Sequence, residues 1–159
     1  MYCYIVFTFV FCACNNAPKC KYSPEPIFDA SWENIQNHSF EKQDTKATEQ
    51  LTFSNGVQLS IFQNICNDSK QEFHFTVPGD YKAAPDAFWI AQAANQFFYM
   101  AELNEQIQSF AMWGLEIQKD PAKYVLGEKV SLENSMTLKI DKLVGNSDAK
   151  IIITIEEKT

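Results

Sequence analysis

Arginine is absent from this sequence, and all 13 basic residues are lysine. That excludes an arginine finger, a bidentate guanidinium clamp on carboxylate or phosphate, and guanine readout by arginine. Against the lysines stand 20 acidic residues, for a net charge of −7. Such a chain has little with which to neutralise a phosphate backbone, so nucleic acid is excluded as a partner class. Histidine is nearly as scarce, with only His38 and His74. His38 lies in the polar run Asn37-His38-Ser39 and reads as a surface-loop residue. His74 alternates opposite Phe73 and Phe75, so it reads as exposed on a sheet face. Neither has a neighbouring serine or cysteine in a nucleophile context. No Gly-x-Ser-x-Gly elbow, His-Glu-x-x-His pair or phosphate loop occurs. Two isolated histidines and scattered cysteines do not converge at a recognised metal spacing. The expectation is a non-enzymatic protein with no catalytic, metal or cofactor residues.

Charge is also missing from the first 13 residues, MYCYIVFTFVFCA, which are almost wholly apolar. A spanning helix needs about 20 apolar residues, so this run is too short to cross a bilayer. It reads instead as the apolar region of a signal peptide. No lysine precedes it, although the positive-inside rule expects one, and we read the true start as lying upstream of Met1.

The run ends in Phe11-Cys12-Ala13-Cys14, followed by the polar Asn15-Asn16. This resembles the lipobox of bacterial lipoproteins, with Ala13 at the small position before the cut and Cys14 as the acceptor. Phe11 stands where leucine is usual. The resemblance implies that residues 1–13 are removed and that Cys14 carries a diacylglycerol thioether. It implies export to a bacterial cell envelope with attachment to a membrane through lipid; ordinary cleavage and secretion is the alternative. Several acyl chains on one cysteine hold firmly, since each buried methylene contributes about 0.8 kcal/mol. Cys3 and Cys12 would leave with the leader. Cys20 and Cys66 then remain, and an oxidising compartment favours a disulfide between them over two free thiols.

Residues 14–26 read as the lipidated cysteine and a tether, kept irregular by Pro24 and Pro26. Residues 27–159 read as a single α+β domain. Phe28, Trp32 and Ile35 have nearly helical spacing, so a short helix is expected over 27–36, capped by Asp29 or Ser31. Residues 38–47 are polar and read as a loop or a weak edge strand. From Glu49 the period becomes two. Ser54-Asn55-Gly56 joins two alternating runs as a hairpin turn, and Asn67-Asp68-Ser69 leads to a third run ending at Pro78. These make a three-stranded antiparallel meander.

Residues 86–119 are helical by composition, with Pro85 at the first helical position. One inward stripe is Ile90, Ala93, Ala94, Phe97 and Ala101. A second, displaced stripe is Leu103, Ile107, Phe110, Ala111 and Leu115, so either a bend or break between 102 and 105 or a helix wrapping around a twisted sheet is expected. Asp120-Pro121 ends the segment, and two or three further strands follow. The fold class is therefore α+β, an antiparallel sheet packed on a long or broken central helix.

Aromatic residues are in excess. Phe88, Phe98 and Tyr99 fall off the inner stripe, so either a second layer such as the Trp32 segment covers them, as the rarity of large exposed apolar patches favours, or they form a partner-binding face. Three functional expectations result. The first is an envelope lipoprotein with a binding or structural role. The second is an immunity or inhibitor protein, its acidity steering capture of a basic, envelope-acting toxin. The third is a hydrolase with an unrecognised site.

Overall fold

The computed structural model describes residues 20–133 and 135–158. The expected signal peptide and Cys14 lie outside the described residues. Among the described residues seven strands form: β1 (Ile35–Gln43), β2 (Lys46–Phe53), β3 (Gln58–Ile65), β4 (Ser69–Pro78), β5 (Lys129–Ser131), β6 (Met136–Val144) and β7 (Asp148–Glu157). Between β4 and β5 come helices α1 (Asp86–Leu103) and α2 (Phe110–Lys119). The strands make one antiparallel sheet in the order β1-β2-β3-β4-β7-β6-β5. This is the α+β class that the sequence pattern gives.

Alternation decides which face each residue takes. Leu51 and Phe53 of β2, Leu59 and Ile61 of β3, Phe73 and Phe75 of β4, and Ile151 and Ile153 of β7 are buried on one face. Thr48, Ser60, His74 and Lys139 lie at the intervening positions and are only partly buried. The helices supply the second layer. Phe97 of α1 sets its ring edge-on to Phe73 at 5.6 Å and to Phe75 at 6.5 Å, and stacks on Phe110 of α2 at 6.0 Å. Its removal to alanine would cost about 3–5 kcal/mol.

The β2–β3 turn uses its two special residues differently. Gly56 alone takes positive φ, at +86°, and its N–H donates to the Phe53 carbonyl. Asn55 acts through its side chain, with Oδ1 accepting from the Val57 N–H at 3.0 Å. Pro85 sits one residue before the helix, at the N-cap rather than the first helical position. The helical stretch breaks at Asn104, whose backbone is extended and whose Oδ1 accepts from the Gln106 N–H.

Three local expectations are corrected. No helix forms over 27–36. Asp29 Oδ1 does accept from the Ser31 N–H at 2.8 Å, as a cap would, but the segment closes into successive turns, the Trp32 N–H donating to the Asp29 carbonyl at 3.1 Å and the Ile35 N–H to the Trp32 carbonyl at 3.0 Å. Phe28 still reaches the core, edge-on to Phe53 at 5.8 Å. The opening meander has four strands rather than three, since β1 adds to the edge. Its alternation is weak because an edge strand on a bulge buries little, and Asn37 there has φ +52°. On α2 the inward residues are Gly114 and Ile117, with Phe110 half-buried. Leu115, expected inside, is 56% exposed. The break resets the helical phase, so the stripe cannot be carried across it.

Candidate functional site

Glu49 sits on the core face of β2, between Ala47 and Leu51, and is 0% exposed. A buried carboxylate is expensive unless its lone pairs are filled. Here they are. Oε2 accepts from the Ile27 N–H at 2.8 Å. Oε1 accepts from the Phe28 N–H at 2.9 Å and lies 2.8 Å from His38 Nε2. The two amides belong to the irregular segment before β1, so Glu49 replaces the helical carbonyls that this segment lacks.

His38 is not in a loop. The β1–β2 register slips between Gln36 and Ser39, and the bulge brings His38 to Glu49 on the core face. Its side chain is 12% exposed, at the floor of a shallow cleft of about 370 Å³ lined also by Trp32, Asp29 and Gln106. The Asp29 carboxyl lies below the ordinary carboxylate range. The Ser31 backbone N–H and hydroxyl are the main causes, and the His38 charge adds a little. A histidine fixed by a carboxylate is half of a general-base arrangement. Among the described residues, however, His38 makes no side-chain hydrogen bond to a hydroxyl or thiol.

The segment leading into this clamp is strapped to the sheet at successive points. Cys20 and Cys66 are joined by a disulfide, their sulfurs 2.01 Å apart. The Tyr22 N–H donates to the Cys66 carbonyl at 3.1 Å. The buried Gln63 donates from Nε2 to the Glu25 carbonyl at 2.9 Å. Ile27 and Phe28 then reach Glu49. Residues 20–28 are thus bound along the domain, although they carry no regular structure.

His74 lies on the opposite face of the sheet. Its Nε2 is 3.2 Å from Glu72 Oε2, and its ring meets Phe62 edge-on at 4.8 Å. Lys70 Nζ holds Glu72 at 2.6 Å. The Lys70 ammonium, with His74 assisting, holds the Glu72 carboxyl below its usual range. The two histidines therefore belong to separate sites.

The three candidate partner-face aromatics are each half-buried against the chain itself. Phe88 stacks on Tyr81 at 5.7 Å. Tyr99 packs edge-on to Phe53 at 5.2 Å. Phe98 lies against Gly114 of α2, where a Cβ would come within 2.8 Å of the ring. The most exposed large apolar side chain among the described residues is Met112 of α2, at 70%; Leu115, Val125 and Leu143 are also more than half exposed. Met112 and Trp113 line a groove of about 390 Å³ with Leu132 and Met136.

Sequence reasoning missed Glu49, Gln63 and Met112. A signal existed for the first two, since both occupy core-facing positions of clean alternation, Glu49 with Leu51 and Gln63 with Ile61. A polar residue in such a register is either paired or costly.

Tyr124 is buried, and its hydroxyl has no hydrogen-bond partner among the described residues. Burial, with help from the Glu116 and Asp120 charges, pushes this hydroxyl up to about 12. Among the described residues no group of three His, Cys, Asp or Glu is placed to hold a metal ion, and no helix is long and apolar enough to cross a membrane. No protein-family model matches the chain, and it matches no curated protein and no solved structure.

Proposed function

We propose that this chain is an exported envelope lipoprotein, anchored through Cys14, whose α+β domain over residues 27–159 has a binding or structural role rather than a catalytic one. The observation that carries the reading is the Cys20–Cys66 disulfide. Structural disulfides persist in oxidising compartments, which the exported face of a membrane provides. The bond begins six residues after the lipobox-like Cys14, so the cysteines of the chain divide into leader, anchor and staple. The hydrolase reading has less behind it, because His38 and His74 lie on opposite faces of the sheet, each beside its own glutamate.

Incorporation of labelled palmitate into the wild type and Cys14→Ala tests the anchor. Label in the wild type and none in the variant is expected. Equal labelling of both, or none in either, refutes it.

A further inference from the structure

Resting on the lipid-anchor reading, we infer that the α2 groove is a membrane-docking surface that seats against the interfacial zone of an electrically neutral bilayer. The strap binds the chain to the domain from Cys20 onward, through Cys66, Gln63 and Glu49. Only six peptide steps then separate Cys14 from the domain. Whatever path they take, they span no more than about 20 Å. A lipid on Cys14 therefore holds the Cys66 end of the sheet close to the membrane.

The groove opens at that same end. Ser69, three residues past Cys66, pairs with Glu157, and Glu157 pairs with Met136 on its other side. Neighbouring strands lie about 4.8 Å apart, so Met136 is only about 10 Å from Ser69. Met136 and Leu132 form one wall of the groove, and Met112 and Trp113 of α2 form the other. Met112 is 70% exposed and Leu115, nearly one turn on, is 56% exposed. Tyr22, whose N–H donates to the Cys66 carbonyl, is exposed at this end as well. Exposed aliphatic side chains beside tryptophan and tyrosine are the composition of interfacial contact. Glu116 and Glu133 line the groove together with Lys119, so charge gives no preference for anionic lipid.

The test uses the full chain, made in a bacterial host that processes lipoproteins and reconstituted into phosphatidylcholine vesicles. The acyl chains are either plain or brominated, because bromine quenches tryptophan only at close range. Quenching in the wild type is expected, and Trp113→Phe should abolish the bromine-sensitive part. Met112→Glu with Leu115→Glu, both at exposed positions, should reduce it roughly twofold or more while leaving the circular dichroism unchanged. Emission that ignores bromine while the chain floats with the vesicles overturns the docking and leaves the anchor standing. Quenching that survives in Trp113→Phe also overturns it, as does a dimer in detergent that buries Met112. Flotation unchanged in Cys14→Ala, with Trp113 still quenched, overturns the anchor and leaves the docking.

Discussion

Replacing Glu49 by glutamine keeps the shape of the side chain and exchanges a pure acceptor for a group that is half donor. The carboxylate takes three contacts, from the Ile27 N–H, the Phe28 N–H and His38 Nε2. If the carboxamide nitrogen replaces Oε2, it faces the Ile27 N–H, donor against donor. Leaving a buried donor unpaired costs about 1–3 kcal/mol. The two remaining bonds lose their charge assistance, at about 1 kcal/mol each. The expected loss is therefore about 3–5 kcal/mol, a large fraction of a typical 5–15 kcal/mol total. Glu49→Leu should cost a similar amount by another route, leaving the buried Phe28 N–H and the part-buried Ile27 N–H and His38 ring without their acceptor. Urea unfolding followed by tryptophan emission gives the stability change. Hydrogen exchange of the Ile27 and Phe28 amides reports the clamp itself, and both should exchange faster in either variant. A Glu49→Gln protein within about 0.5 kcal/mol of wild type, with those amides still protected, would refute the reasoning.

Three further outcomes follow from other parts of the molecule. The Cys20–Cys66 bond closes a 46-residue separation, so Cys66→Ala should lower stability by about 2–4 kcal/mol, read as a urea midpoint that no longer responds to reductant. Gly114→Ala would put a methyl within 2.8 Å of the Phe98 ring, so packing strain of about 1–3 kcal/mol should outweigh a helix-propensity gain of about 1 kcal/mol, and thermal melting should show a lower midpoint. Tyr124 keeps its proton to about 12 when folded but releases it near 10.0 when unfolded. The unfolded state thus binds fewer protons between those values, and stability should fall by about 2–3 kcal/mol as pH rises through that window. Tyr124→Phe should remove this dependence, and ultraviolet titration of the wild type should show one tyrosine ionising late.

Local rules carried much of the fold. Alternation through Leu51, Phe53, Leu59 and Ile61 placed two strands, and Asn55-Gly56 placed the turn between them. The displaced apolar stripe located the helix break at Asn104. Around the candidate site far less was legible. Nothing near His38 in sequence announces the bulge that turns it to the core face. Leu115 falls on the apolar stripe over 103–115, but that stripe spans both Asn104 and the turn before Phe110, and each resets the helical phase.

The alternating strands, the turn glycine and the helical stretch can be read from the amino-acid order alone. All of these follow from backbone sterics, side-chain period and residue type, which act over a few neighbouring positions. That Glu49 clamps amides 22 and 21 residues away, that Gln63 holds the Glu25 carbonyl and that Phe98 closes over Gly114 are products of the assembled fold. The physical reason is that a buried polar atom or a missing Cβ is satisfied by whatever the topology brings beside it. That partner is set by strand order and not by spacing along the chain.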